Sequence, residues 1–290
     1  MLLALLRSLR PAQWVKNGFV LAPVVFAHRL DRVAAAADAL LAFAAFCAAA
    51  SAVYLVNDLR DREHDRRHPI KRLRPIAAGE LPAGAALAAA LALLALAAAI
   101  AHHLGTGFVL CLAGYVALNL LYSLALKHVV ILDVMAIALG FVLRVLGGAR
   151  AVDVQVSSWL VLCTIFVALF LGFSKRRHEI ALIPEAGSGT RRVLEHYNLP
   201  FLDQMINVVT ASTVVAYALY TAAPETQAKL GSDRLIYTVP LVLFGIFRFL
   251  FLLYRRADER SPTDAILRDP PFLLNLLLWG AVVLALIYGG

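Results

Sequence analysis

Long apolar runs alternate with short polar stretches along this chain. Nine runs reach the length needed to cross a bilayer with some tilt, near residues 15–30, 37–57, 84–103, 106–126, 131–149, 157–174, 203–223, 235–254 and 272–288. A lipid-exposed backbone must satisfy its own hydrogen bonds, so runs of this length predict helices. The pattern predicts an all-α polytopic membrane protein, a bundle of nine transmembrane helices forming a single domain over residues 1–290. Only Leu104-Gly105 separates the third run from the fourth, which predicts a tight hairpin there. Alanine-rich faces in the second and third runs let helices approach closely in lipid. The opening Met1–Arg10 is too short, and broken too early by Arg7, for a secretory signal. It is expected to be an interfacial amphipathic turn.

Composition supports this picture: 61% of the residues are hydrophobic and 16% charged, which excludes an ordinary soluble domain. The charges also orient it. Of the 27 Lys and Arg residues, 20 fall on the side holding residues 7–16, 60–74, 127, 175–192 and 255–268. Arg29, Arg32, Arg150, Lys229 and Arg234 fall on the other, while Arg144 and Arg248 lie within runs. By the positive-inside rule the first side is cytosolic, with the N-terminus in and the C-terminus out of a bacterial cytoplasmic (inner) membrane. This topology accounts for the net charge of +8, so no nucleic-acid partner is implied. Cys47, Cys111 and Cys163 lie in apolar runs without metal-ligand spacing and read as buried thiols.

Candidate chemistry concentrates in Asn57-Asp58-Leu59-Arg60-Asp61-Arg62-Glu63-His64-Asp65, directly after the second run. On a helix at about 100° per residue, Asn57, Asp61, Asp65 and Asp58 fall within one arc of about 100°. Like charges four residues apart repel, and a face made of oxygen needs a cation to offset that repulsion. Hard oxygen ligands select Mg²⁺, or Mn²⁺. Mg²⁺ keeps positions open for phosphate oxygens, so a diphosphate is the natural ligand. The alternative is a charged cap at the membrane edge.

Three further cytosolic stretches carry polar chemistry. In His68–Gly79, residues Pro69, Pro75 and Gly79 shape a loop. Its Lys71, Arg72 and Arg74 either hold phosphate oxygens or simply form a positive-inside loop. The second stretch runs from Asn119, Tyr122 and Ser123 through Lys127 to Asp133, which opens the fifth run. Arg144 lies about three turns further along the same helix face, roughly 16 Å away. That separation is too great for direct pairing, so the two are expected to line a cavity, with room beside Gly140. Arg248, near the cytosolic end of its run, is expected to snorkel. The third stretch, Lys175-Arg176-Arg177-His178-Glu179, leads into a long loop. Either Lys175 and Glu179 pair on a helix surface, or the loop, hinged at Gly187-Ser188-Gly189, closes Arg191, Arg192, His196 and Tyr197 over an anion.

Asn57-Asp58-x-x-Asp61-x-x-x-Asp65 on a nine-span, cytosol-facing frame resembles the UbiA superfamily of intramembrane transferases. The resemblance implies a bundle whose cytosolic loops cap a central cavity. It also implies two acidic motifs holding Mg²⁺ and a diphosphate, after the second and sixth spans. Here the second motif departs from that pattern, and Glu179 is the one carboxylate in Lys175–Glu179. Pro11-x-Gln13-Trp14-Val15-Lys16-Asn17, Lys71-Arg72-Leu73-Arg74-Pro75, Tyr122-Ser123-x-x-x-Lys127-His128 and Lys175-Arg176 resemble the decaprenyl-phosphate phosphoribosyltransferase branch. That branch makes the lipid-linked phosphoribose used for arabinofuranose donors of the cell wall. The resemblance implies phosphoribosyl diphosphate as donor and a polyprenyl phosphate in the membrane lipid as acceptor.

On this reading Asn57, Asp58, Asp61 and Asp65 hold metal, the three aspartates being catalytic. Lys16, Lys71, Arg74, Lys127, Arg144, Lys175 and Arg176 meet donor or acceptor phosphates, and Tyr122 and Glu179 meet the ribose. A donor with an extra 5-phosphate, plus an acceptor phosphate, needs more cations than an isoprenyl diphosphate does, and Lys175-Arg176 supplies them. Two alternatives remain. One is a prenyltransferase moving an isoprenyl diphosphate group onto an aromatic or lipid acceptor. The other is a transporter, disfavoured because no internal repeat is visible and the acids lie at the membrane edge.

Overall fold

Val33 to Arg60 forms one continuous 28-residue helix, α3, which ends at the acid segment. Alanine, the best helix former, makes up much of it, and the small side chains let neighbouring backbones approach. The computed structural model describes residues 1–68, 71–181, 192–230, 232–255, 266 and 268–289. Among them eight helices are long and apolar enough to cross a membrane, and no strand occurs.

Before α3 come α1 (Leu2–Leu9), a 3₁₀ helix over Pro11–Leu21 and the short α2 (Ala22–Phe26). The 3₁₀ helix and α2 together occupy most of the run near 15–30 and are not among the eight. His28, at φ 53°, lies beyond their end. The amphipathic turn expected at the start is α1, which exposes Leu2, Leu3 and Leu6 while burying Ala4 and Ser8. After α3 follow α4 (Arg62–Arg67), α5 (Ala83–Leu104), α6 (Thr106–Leu124), α7 (Leu132–Ala151) and α8 (Ser158–Ala181). Next come α9 (Leu199–Ala222), α10 (Pro224–Leu230), α11 (Val239–Arg255) and α12 (Pro270–Tyr288). Gly105 alone joins α5 to α6. Its φ of 97° is open to glycine at little cost, which is why the hairpin closes in one residue.

The chain divides into two compact units. The first comprises Met1–Val24, Arg29–Leu126 and Gly140–Val156. Its core sets Ala42, Ala45, Phe46 and Ala49 of α3 among Ala97 and Ala101 of α5, Phe108, Leu112 and Tyr115 of α6, and Val20. Backbones come close at Gly148, where a Cβ would run into the carbonyl oxygen of Val20. Gly148→Ala is therefore expected to destabilise the protein by about 1–3 kcal/mol or more, because backbone, not a flexible side-chain tip, must give way. Thermal melting in detergent measures this, and an unchanged melt would show that the Val20 segment yields freely.

The second unit comprises Val25–His28, Lys127–Leu139 and Ser157–Gly290. Its core joins Val134 of α7, Phe170 and Phe173 of α8, Leu202, Ile206 and Val209 of α9, Phe249 and Leu253 of α11, and Val193, Leu194 and Tyr197. Helix α8 runs on through Lys175-Arg176-Arg177-His178-Glu179 to Ala181. The polar stretch expected to end the sixth span is thus helical throughout, since Lys, Arg and Glu are good helix formers and pair at i,i+3 and i,i+4. Arg248 does more than snorkel. Its guanidinium donates to both oxygens of Asp269, at 3.0 and 2.7 Å, and Asp269 caps α12 by accepting from Phe272 N–H. That Arg248 contact, ahead of a smaller opposing effect of burial, holds the Asp269 carboxyl below its ordinary range. The Gly187-Ser188-Gly189 hinge and Arg191 lie outside the described residues.

Candidate active site

The acid segment spans a one-residue break between α3 and α4, at Asp61 (φ −87°, ψ 4°). The hydrogen bonds Asp61 N–H to Asn57 O (2.9 Å) and Asp65 N–H to Asp61 O (2.8 Å) carry the helical register across it. Asp58 and Asp65 are thus brought inward, 4% and 2% exposed, while Asn57 and Asp61 remain partly exposed. Charge compensation for the inward pair comes from within the chain. Arg74 Nη1 donates to Asp58 Oδ1 at 3.0 Å and to Asp65 Oδ2 at 2.7 Å, bridging the two carboxylates. Arg10 Nη2 meets both oxygens of Asp58 at 2.7 and 2.9 Å, and its guanidinium lies 4.9 Å from the ring centre of Tyr54.

Local structure aims both arginines. Arg10 sits in a left-handed conformation (φ 55°) between α1 and Pro11, where one helix ends and the next begins. Arg74 follows the turn Lys71–Leu73 and is held by Ala78 N–H to Arg74 O (2.8 Å). Arg66 of α4 donates to Ala77 O at 3.1 Å, and Pro75, Ile76 and Ala77 are buried, which fastens the loop beside the acids. Arg7 and Glu80 pair nearby. The same loop carries His68, whose ordinary pKa is lowered by burial and then by Lys71.

The donor set suits a hard divalent cation: two buried carboxylates with a third carboxylate and an amide on one short segment. The buried pair is already compensated here, by Arg74 at both carboxylates and by Arg10 at Asp58. Among the described residues no three His, Cys, Asp or Glu side chains gather closely enough to hold a metal. The residues fit a cation in chemistry, and the guanidinium of Arg74 stands in for one.

Deeper in the first unit, Arg144 is 7% exposed. It donates to Asn17 Oδ1 (2.7 Å), Gly140 O (2.9 Å) and the Tyr115 hydroxyl (2.9 Å), and stacks 4.6 Å from the Tyr115 ring centre. The space expected beside Gly140 is taken by this guanidinium, 3.5 Å from where a Cβ would sit. Arg144 thus ties the Pro11–Leu21 helix to α6 and α7 through neutral acceptors. Asn17 extends the link, its amide donating to Cys47 Sγ at 3.2 Å.

In the second unit Asp133 is the centre of a buried cluster. Arg176 Nε donates to Asp133 Oδ2 at 2.7 Å and Arg176 Nη1 to Glu179 Oε2 at 2.5 Å. Arg176 and Asp133 are 1% and 0% exposed. The Tyr197 hydroxyl donates to Asp133 Oδ1 and accepts from Ile131 N–H, both at 2.7 Å. Ile131 has φ 70°, a costly conformation for a β-branched residue, so this clasp holds the turn before α7 against strain. Burial, reinforced by Asp133 and offset in part by Ile131 N–H, raises the Tyr197 hydroxyl well above the ordinary phenol range. Tyr197 therefore belongs to the core and does not swing over a ligand. Beside it, Arg177 donates to Asp203 at 2.6 Å and lies 4.1 Å from the Tyr254 ring centre.

Comparison with known proteins gives this geometry a family. The family model described as the UbiA prenyltransferase family matches residues 19–277. The chain belongs to that family. UbiA relatives similar to it include a decaprenyl-phosphate phosphoribosyltransferase of Corynebacterium glutamicum, 35% identical, with 98% of this chain and 86% of the relative covered. A protein of the same name from Mycolicibacterium smegmatis is 33% identical, over 98% and 92% of the two chains. Among solved structures, a UbiA homolog from Archaeoglobus fulgidus bound to GPP and Mg²⁺ shares the fold, with a TM-score of 0.71 and 22% identity over 98% and 99% of the chains.

In this UbiA chain the remaining expected residues are distributed as follows. Lys16 is half-buried on the Pro11–Leu21 helix, Lys71 opens the turn before Arg74, and Tyr122 is half-buried near the end of α6. Arg60 donates to Ser123 O at 3.5 Å. In the second unit Lys127 lies in the turn Leu126–His128, and Lys175 is 3.9 Å from Glu179. Arg10 was not a site candidate from the sequence. Its one local signal is its place immediately before the Pro11–Asn17 motif.

Proposed function

We propose that this protein transfers 5-phosphoribose from phosphoribosyl diphosphate to a polyprenyl phosphate and releases diphosphate, as a Mg²⁺-dependent glycosyltransferase. The observation that carries the reading is near-full-length identity of 35% to a decaprenyl-phosphate phosphoribosyltransferase. The acid segment supports it, because its oxygen donors suit a metal–diphosphate. Residues 1–290 act as one transferase domain of nine spans in the bacterial inner membrane, with the N-terminus and the acid segment cytosolic, where a soluble donor is found.

The reaction breaks the bond between ribose C1 and the diphosphate oxygen and forms one between C1 and an oxygen of the lipid phosphate. That phosphate is already anionic at neutral pH, so no general base is needed. Asn57, Asp58, Asp61 and Asp65 would hold Mg²⁺, or Mn²⁺, which when bound offsets the charge of the departing diphosphate. Arg74, Lys71 and Lys16 serve phosphate oxygens, as do Lys127, Arg144 and Lys175, whereas Arg176, expected there from the sequence, is buried against Asp133 and holds α8 to α7. Tyr122 and Glu179 serve the ribose. Positioning and charge stabilisation carry the rate.

The second reading is isoprenyl transfer, favoured by the fold shared with a GPP-bound homolog. Purified protein supplied with labelled phosphoribosyl diphosphate and decaprenyl phosphate is expected to give a labelled lipid and free diphosphate. Labelled geranyl diphosphate with an aromatic acceptor should give no product. The reverse pattern would replace the first reading by the second.

A further inference from the structure

Arg74 is placed where it must choose between two sets of partners. It rests on the inward carboxylates of Asp58 and Asp65, the residues assigned above to the metal. A divalent cation and this guanidinium satisfy the same charges, and the pair is too buried for water to substitute. Arg10 also holds Asp58, so the contact that a cation between Asp58 and Asp65 would replace is the Arg74 bridge. A guanidinium displaced from the acids would need a new anion. The loop that carries it is fastened through Pro75–Ala77, so the side chain, not the backbone, has to turn.

We infer that Arg74 is an internal counter-cation that couples metal binding to diphosphate binding: it leaves Asp58 and Asp65 as the metal enters and takes the oxygens of the arriving diphosphate. The acids then take up the metal weakly by itself and tightly when a diphosphate is present to receive Arg74. Linkage makes the effect reciprocal, so the metal tightens the diphosphate by the same factor. The inference rests on the acid segment being the metal site. It adds that in the metal-free site Arg74 bridges the buried carboxylates of Asp65 and Asp58, the latter also held by Arg10.

The test is binding, not turnover. Mn²⁺ binding to detergent-purified protein is followed by the electron paramagnetic resonance of free Mn²⁺, with and without inorganic diphosphate. Wild-type protein is expected to bind Mn²⁺ alone weakly, and inorganic diphosphate to tighten it about 10- to 100-fold, the range for one or two charge-assisted contacts. In Arg74→Gln, Mn²⁺ alone should bind about 10-fold or more tightly than in wild type, and the tightening by diphosphate should shrink by a similar factor. Both proteins meet the same solutions, so complexation of Mn²⁺ by diphosphate cancels in the comparison. If Arg74→Gln does not fold, Arg74→Lys carries the test, because one ammonium cannot reproduce the planar fork and should shift both quantities in the same directions. Asp58→Asn separates the two levels. Binding in wild type that is lost in Asp58→Asn, with no change in either Arg74 variant, would overturn this inference and leave the metal site standing. Absence of Mn²⁺ binding in every protein, with and without diphosphate, would overturn both.

Discussion

Asp58→Asn is expected to reduce turnover by at least about 10²- to 10³-fold, the loss typical of removing one preorganised electrostatic group. The substitution keeps the shape of the side chain and removes its charge. Asp58 is 4% exposed and receives Arg10 at 2.7 and 2.9 Å and Arg74 at 3.0 Å, so it carries much of the negative potential of the acid segment. An amide oxygen still accepts one of these bonds. The arginines are each 30% exposed at the side chain and can turn toward water. The fold is therefore expected to survive, with a detergent melting temperature close to wild type, while phosphoribosyl transfer fails. Chelation by EDTA should stop the wild-type reaction reversibly for the same reason. A variant that melts far below wild type would assign Asp58 to structure instead.

The largest expected effect on stability belongs to Arg176→Ala. Arg176 and Asp133 are almost wholly buried, 2.7 Å apart, and Asp133 also receives Tyr197. Removing one member of a buried pair leaves the other charge uncompensated, which costs about 3–5 kcal/mol. The loss should also loosen Glu179, which Arg176 holds at 2.5 Å one turn along α8. Melting in detergent should show a clear fall, partly restored in Arg176→Lys. Lys175→Ala provides the contrast, since Lys175 is 49% exposed at its side chain. It should melt like wild type and raise the Michaelis constant for phosphoribosyl diphosphate more than that for the polyprenyl phosphate. An unchanged melt in Arg176→Ala would show that Asp133 is compensated by other groups.

These predictions divide the roles within Lys175-Arg176, two adjacent residues that were equivalent as a sequence motif. On α8 they point about 100° apart, one toward the core of its unit and one toward water. Hydropathy does not distinguish them, because both are cations. What separates them is the presence of Asp133 on α7, 43 positions earlier in the chain. The same holds for Arg10, which reaches Asp58 across 48 positions, and for Arg144, which reaches Asn17 across 127.

The sequence by itself determined what depends on local chemistry. Apolar length determined the crossing helices from α3 onward, since a backbone in lipid must close its own hydrogen bonds. Gly105 determined the hairpin between α5 and α6, and the i,i+4 spacing of Asn57, Asp61 and Asp65 placed an oxygen-rich segment at the end of α3. The run near 15–30 met the same length rule, yet this stretch is wound largely as a 3₁₀ helix. Only the tertiary structure decided which charges meet. It gave Asp58 and Asp65 to Arg74, Asp133 to Arg176 and Tyr197, and left Arg144 among neutral acceptors. A buried charge takes whichever partner the packed helices bring within about 3 Å, and that choice is made by helix contacts far apart in the chain, which no local pattern encodes.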